Sequence, residues 1–209
     1  MKGPARKAPP RKGVEEAPRA WQRMLSGRRL DLLDPSPLDV EIEDIAQGLS
    51  RVARWNGQTG GDWAFTVAQH SLLVEQIAAA LRPLLTARWR LATLLHDAAE
   101  YVLGDLITPF KSQIGPSYKT LENRLLAAVH LRFGLPAELP QHVTQLIKRA
   151  DKAAAFFEAT ELAGFEEGEA LRFFGRPRGL TAPNLQPLPP DEAKARFLAR
   201  FRSLAEAAS

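Results

Sequence analysis

The stretch LATLLHDAAEYVLGDLITPFK (91–111) places two ionisable residues inside an apolar helical pattern. Its apolar residues recur every three or four positions, which predicts one buried face of a helix over 87–103. The residues on that face are Leu91, Leu94, Leu95, Ala98 and Val102. His96 and Asp97 interrupt the face. Because an unpaired buried carboxylate is costly, such groups are paired, neutralised or bound to a metal. The stretch therefore predicts a helical core that contains a polar site.

Two further predicted helices carry the same kind of interruption. His70 lies among the apolar residues of the helix predicted over 67–82, and Asp151 lies on the apolar stripe of the helix predicted over 140–164. Two His and two Asp form a plausible ligand set for one divalent transition metal, with positions left for water and a substrate oxygen. Taken singly, each residue has another interpretation, either a core His bonded to a carbonyl or an Asp paired with a cation. The combined pattern favours the metal.

Glu100 strengthens the hypothesis of a catalytic site. It follows His96 by four residues and Asp97 by three, so a continuous helix places all three on one face. A carboxylate beside an attacking water can accept its proton. The alternative is a surface glutamate in a helix that tolerates Glu well.

The rest of the pattern predicts an all-α fold of about seven helices around one core. Leu (30) and Ala (32) greatly outnumber Val (8) and Ile (6), so helix formers dominate. Thr66 and Gln69 form a capping-box pattern at the start of the helix over 67–82. The other helices are predicted over 19–25, 40–54, 116–134 and after 190, with a Gly- and Pro-rich loop over 175–190.

The first 18 residues are predicted to be a disordered basic tail, followed by one domain over 19–209. Residues 1–13 carry five cationic side chains and no acid, so the rest of the chain sums to −1 although the net charge is +4. This distribution argues against nucleic acid as a partner. The chain has no Cys, no apolar run of membrane-spanning length and no apolar segment after its basic start. We therefore expect a cytoplasmic protein that does not contact a membrane.

Three segments, taken in order, resemble the H…HD…D signature of HD-domain metal-dependent phosphohydrolases. They are ARWNGQT…VAQHSLLV (53–74), HDAAEYVLGDLITPFK (96–111) and KRADKAAAFFEATEL (148–162). Within that superfamily the likeness is greatest to the bacterial 5′-deoxynucleotidases and to related phage and bacterial deoxynucleotide phosphohydrolases. It covers roughly residues 40–165.

The resemblance implies an HD-domain helical bundle and a role for each matching residue. The ligands of one divalent metal, such as cobalt or manganese, would be His70, His96, Asp97 and Asp151. The catalytic residues would be Glu100, near the attacking water, and Arg54, which would also orient the phosphate. The remaining substrate residues would be Trp55, against the sugar where the family excludes a 2′-hydroxyl, and Asp105 and Thr108, against the nucleoside.

The sequence thus predicts a hydrolase that cleaves the phosphate ester of small (deoxy)nucleotides, above all 5′-deoxynucleoside monophosphates, with a water activated by the metal. Removal of triphosphate from deoxynucleoside triphosphates is one alternative, and a non-catalytic nucleotide-binding module is another. The expected partner is a small-molecule nucleotide, with a homodimer as a further option.

Overall fold

The computed structural model describes residues 19–107 and 116–208, which are mostly helical. The α-helices within these ranges are α1 (Ile42–Leu49), α2 (Val67–Leu81), α3 (Ala87–Leu94), α4 (Glu100–Leu103), α5 (Pro116–Arg132), α6 (Gln141–Glu161), α7 (Glu167–Phe174) and α8 (Pro190–Ala208). The all-α prediction is confirmed. The tail predicted over 1–18 and the site residue Thr108 lie outside the described residues, so both remain predictions.

The helix predicted over 19–25 is wrong, because this segment forms one arm of a β-hairpin. The strands are β1 (Trp21–Arg23) and β2 (Arg29–Asp31), paired antiparallel. The guanidinium groups of Arg19 and Arg29 each lie 4.6 Å from the ring centroid of Trp21. Cation–π contacts and cross-strand pairing stabilise the extended chain, and neither is visible in a local helical pattern.

Helices α2 and α6 bury the stripes that the sequence predicts, and they pack along each other. The predicted residues that are buried are Val67, Val74, Ile77 and Ala78 on α2, and Val143, Ile147, Ala150, Ala154 and Phe157 on α6. Residues of α2, α6 and α7 form one apolar cluster, and residues of α1, α3, α5 and α8 contribute to the other. The site described below therefore rests on well-packed helices.

The continuous helix predicted over 87–103 is also wrong. The chain forms α3, a turn over 95–99 and the short helix α4. Within the turn, the amide of His96 donates to the carbonyl of Thr93 at 3.3 Å, and the amide of Glu100 donates to that of Asp97 at 3.0 Å. These bonds span three residues instead of four and so tighten the backbone. Glu100 therefore does not share one straight helical face with His96, although it remains one turn from Asp97.

Helix α1 meets α4 at a contact that only glycine allows. A Cβ atom built on Gly48 would lie 2.6 Å from the carbonyl oxygen of Tyr101 and 2.7 Å from its Cβ. The two backbones can approach this closely because Gly48 has no side chain. This contact fixes the position of α4, which carries Glu100.

The capping box predicted at the start of α2 is half confirmed. The Thr66 hydroxyl oxygen accepts a hydrogen bond from the amide of Gln69 at 3.4 Å, as an N-cap does. The Gln69 side chain does not reach back to Thr66. Its Nε2 donates to the carbonyl of Gln186 at 2.9 Å, and its Oε1 accepts from the amide of Leu188 at 3.2 Å. Gln69 thus tethers the segment before α8 to α2.

In the described part of the chain, every helix is either too short or too polar to cross a lipid bilayer.

Candidate active site

His70 is held at the centre of the site by a buried carboxylate. Its side chain is inaccessible to solvent, and its Nδ1 lies 2.5 Å from Oε1 of Glu158, which is also fully buried. An ionised carboxylate only accepts hydrogen bonds, so the proton of this contact lies on Nδ1. Nε2 of His70 then points away from Glu158, toward Asp97 and Asp151. This is the carboxylate–histidine arrangement that orients metal-binding imidazoles.

His96 is oriented in the same way by a backbone carbonyl. It lies in the turn after α3, where its Nδ1 is 3.0 Å from the carbonyl oxygen of Thr93. The carbonyl can only accept, so Nδ1 donates and Nε2 is the nitrogen left for another ligand. Among the residues that the structure describes, neither this Nε2 nor that of His70 has a hydrogen-bond partner, although both atoms are buried.

Four side chains converge at these two nitrogens. Atoms of His70, His96 and Asp97 that can bind a metal lie within 4.8 Å of one another. Oδ2 of Asp97 is 3.4 Å from Nε2 of His70 and 3.2 Å from Nε2 of His96. Oδ1 of Asp151 is 3.2 Å from Nε2 of His70. Two oriented imidazoles and two carboxylates suit a divalent transition metal, so the residues present fit such an ion.

The electrostatics of the cluster favour a bound cation or proton. Burial and the Arg54 guanidinium act to lower the pKa of His70, but the carboxylates of Glu158, Asp151 and Asp97 outweigh them and raise it well above its usual value. Burial acts to raise the pKa of Asp97, yet the two histidines hold it well below its usual value. A divalent cation is attracted by the same carboxylates that hold the proton on His70.

Arg54 and Trp55 reach this cluster through a loop that closes on itself. The amide of Arg54 donates to the carbonyl of Phe65 at 2.8 Å, which brings the residues before the Gly-rich loop beside the start of α2. Trp55 and Asn56 both adopt left-handed backbone conformations, with φ of 56° and 52°. Such conformations are rare for residues other than glycine and are typical of functional sites.

Glu158 connects that loop to the cluster of His70, His96, Asp97 and Asp151, and sequence analysis missed it. Its Oε2 accepts a hydrogen bond from Nε of Arg54 at 3.2 Å and another from Nε1 of Trp55 at 2.9 Å, while its Oε1 faces His70. Burial acts to raise its pKa, but His70 and Arg54 lower it to about 2. One signal was available, since Glu158 follows Asp151 by seven residues and so lies two turns along the same face of α6.

The other predicted site residues lie around this network, as far as the structure describes them. Asp105 is nearly buried, and its Oδ2 lies 2.9 Å from Nη1 of Arg54. Glu100 is 2% exposed at the start of α4. The Trp55 ring packs against Phe165 and Phe174, with centroid distances of 5.5 and 5.9 Å. The structure thus brings the four predicted ligands together and joins Arg54, Trp55 and Asp105 to them.

The structure combines an all-α fold with an adjacent His–Asp pair, a second His and a second Asp. This combination is typical of the HD superfamily of phosphohydrolases. The sequence matches the family model described as 5′-deoxynucleotidase YfbR-like over residues 44–168. The chain therefore belongs to the YfbR-like family. This membership confirms the resemblance seen in the sequence and supports a nucleotide phosphohydrolase activity.

Two of three similar proteins match this chain over most of its length. An uncharacterised protein of Rhodobacter capsulatus is 60% identical over 191 residues, which are 89% of this chain and 96% of that protein. The uncharacterised protein YfdR of Escherichia coli is 31% identical over 171 residues, or 80% of this chain and 86% of its own. A 5′-deoxynucleotidase of Cronobacter sakazakii is 32% identical over 120 residues, which are 46% of this chain and 59% of that enzyme.

Proposed function

We propose that this protein hydrolyses the 5′-phosphate ester of deoxynucleoside monophosphates, using one divalent transition metal. The proposed ligands are His70, His96, Asp97 and Asp151. The observation that carries the proposal is the bridging carboxylate of Glu158, which bonds to the central histidine and to Arg54. A phosphate-binding guanidinium therefore belongs to the same buried network as the metal-binding cluster. Similarity to a 5′-deoxynucleotidase supports the choice of substrate.

When bound, such a cation supplies Lewis acidity, which lowers the pKa of a water ligand and polarises a phosphoryl oxygen. Arg54 complements this charge from the side of the substrate. Glu158 and Asp105 hold two of its nitrogens, Nε and Nη1, and so fix the plane of the guanidinium. A guanidinium has five N–H donors, so others remain to bind phosphate oxygens in a two-pronged geometry. Arg54 thereby orients the phosphate and neutralises charge on it as the ester bond breaks.

Trp55 is the proposed determinant of deoxyribose preference. Its indole is fixed by the hydrogen bond to Glu158 and by packing against Phe165 and Phe174. A rigid apolar ring next to Arg54 can contact C2′ of a deoxyribose, whereas a 2′-hydroxyl at that position would lose its water without gaining a partner. Asp105 and Thr108 are proposed to contact the nucleoside.

Glu100 is proposed to accept the proton of the attacking water. It is buried at the start of α4, and its amide hydrogen bond to Asp97 keeps it one turn from a proposed ligand. A carboxylate held close to the attacking water can accept its proton.

The proposal is tested by a hydrolysis screen of matched deoxy- and ribonucleoside mono- and triphosphates with Mn²⁺, Co²⁺ and Mg²⁺. We expect release of inorganic phosphate from deoxynucleoside monophosphates, with a lower kcat/KM for the ribonucleotides. Release of triphosphate instead would assign the alternative activity, and no hydrolysis with any metal would refute the proposal. Trp55→Phe should narrow the preference for deoxyribose. Trp63→Phe, which changes a half-exposed ring elsewhere, should leave it unchanged.

A further inference from the structure

A basic pocket lies between α6 and the segment that follows α7, and the proposed activity makes no use of it. Its cationic lining residues are Lys148, Arg149 and Lys152 from α6, and Arg176 and Arg178 from the segment after α7. The cavity has a volume of about 440 Å³, and no carboxylate lines it. Within residues 19–107 and 116–208, none of the five cations takes part in a salt bridge.

The charge of this pocket is a local feature of the fold. Residues 19–209 sum to +1, so the domain as a whole is close to neutral. The five cationic side chains are exposed, so water and salt screen part of their mutual repulsion, and the part that remains is relieved when a multiply charged anion binds between them. A concave, single-sign surface also concentrates anions from solution. These two effects indicate an anion with several charges as the ligand.

Apolar side chains also line the pocket, and they restrict the kind of anion that fits it. Leu81, Phe174, Pro177 and Leu180 contribute to its lining together with the cations. Small-molecule sites typically combine such apolar walls with a few converging polar groups. We propose that this pocket binds a nucleoside di- or triphosphate, with its phosphates against the five cations and its base against Phe174 and Leu180.

This site is distinct from the candidate active site. No lining residue is among the proposed ligands or substrate residues. Asp151 lies between Lys148 and Lys152 in the sequence. A helix turns by about 100° per residue, so Arg149 and Lys152 project from another face of α6, whereas Lys148 lies one turn from Asp151 on the same side. The two sites nevertheless share a wall, because Phe174 lines the pocket and also packs against Trp55, with 5.9 Å between ring centroids.

The test is a calorimetric titration of the full chain with a non-hydrolysable deoxyadenosine triphosphate analogue and, separately, with inorganic tripolyphosphate. EDTA is present in both titrations, so that binding through a divalent metal does not contribute. We expect the double variant Arg176→Gln/Arg178→Gln to bind both probes about a hundredfold more weakly, because two charge-assisted contacts are lost. Leu180→Ala should weaken binding of the analogue but leave binding of tripolyphosphate unchanged, since only the analogue has a base.

The matched control is Arg196→Gln/Arg202→Gln, which removes two cations from the exposed part of α8. It lowers the net charge by the same amount as the pocket variant, and it should bind both probes as tightly as the wild type does. If both double variants bind the probes equally weakly, the loss reflects net charge and not this pocket, and the proposal is overturned. The proposal is also overturned if the wild type binds neither probe. A third outcome would also overturn the proposal. If a short single-stranded DNA binds the wild type more tightly than the analogue does, and the Arg176→Gln/Arg178→Gln variant no longer binds it, the pocket is part of a nucleic-acid surface.

Discussion

Glu158→Gln tests the role of the buried carboxylate with the smallest change of shape. Glu158 accepts hydrogen bonds from His70, Arg54 and Trp55. A glutamine has one acceptor oxygen and one donor NH₂ group, so it cannot accept on both sides. The arrangement with least repulsion keeps the oxygen toward Arg54 and Trp55 and turns the NH₂ toward His70. Nδ1 of His70 must then become the acceptor, and its proton moves to Nε2.

The loss of this carboxylate should have two separate effects, one on metal affinity and one on stability. A proton on Nε2 of His70 competes with a metal ion, and loss of an orienting partner of this kind typically costs about 10–100-fold in metal affinity. Removal of one partner from a buried ion pair destabilises a fold by roughly 3–5 kcal/mol. We expect the lower end of that range, because Arg54 keeps its contact with Asp105 at 2.9 Å.

Calorimetric titration with Mn²⁺ or Co²⁺ measures the affinity, and ¹⁵N chemical shifts of the His70 ring report its tautomer. Glu161→Gln is the matched control, since Glu161 lies on the same helix but is exposed. It should leave both readouts unchanged. Wild-type metal affinity and an unchanged tautomer in Glu158→Gln would refute the reasoning that this carboxylate orients the central histidine.

Three further variants test other parts of the structure. Glu100→Gln should lower kcat by about 10²–10⁴-fold with unchanged metal content if Glu100 accepts the proton, and a near-normal kcat would remove it from the mechanism. Gly48→Ala should destabilise the fold by about 1–3 kcal/mol in chemical denaturation, since its Cβ would lie 2.6 Å from the Tyr101 carbonyl oxygen, whereas Gly168→Ala, with open space around it, should not. Burial holds the pKa of His130 below its usual value of 6.5 despite a bond to the Ala137 carbonyl, so the unfolded chain binds the extra proton and stability is lost as the pH falls through about 6.5. His130→Asn keeps a donor for that carbonyl, and its melting temperature should fall less between about pH 7.5 and 5.5 than that of the wild type.

The helices that sequence analysis predicted best are those with a long apolar stripe. Both α2 and α6 bury the predicted residues except Leu81, which is half-buried, because a stripe of four or more turns determines which face of the helix packs against the core. The proposed ligand set could be singled out for the same reason, since His70 and Asp151 stand out as ionisable groups within these stripes. The short helix α7 was not foreseen, because eight residues carry little periodic signal.

The errors arise where tertiary contacts override local preference. The turn over 95–99 has the sequence LHDAA, which contains neither Gly nor Pro and favours a helix. The interruption becomes intelligible only from the packing of α4 against α1 at Gly48 and from the bond between His96 and Thr93. The β-hairpin likewise depends on partners across the turn. Glu158 was missed because a glutamate within FFEATEL has no distinctive spacing until its contacts with Arg54 and Trp55 are known.

The left-handed pair at Trp55 and Asn56 has a consequence for the local dynamics of the site. Each such residue costs about 1 kcal/mol or more, and that strain is released when the loop opens. The strain favours opening of the loop, whereas the hydrogen bond from the Trp55 indole to Glu158 holds the loop closed. Opening of the loop is therefore a local unfolding event that costs less free energy than unfolding of the helices. The amides of Arg54 and Gln58 donate hydrogen bonds within this loop, to Phe65 and Trp55. Their rates of exchange with deuterated solvent therefore report the free energy of opening this loop, to which the hydrogen bond with Glu158 contributes.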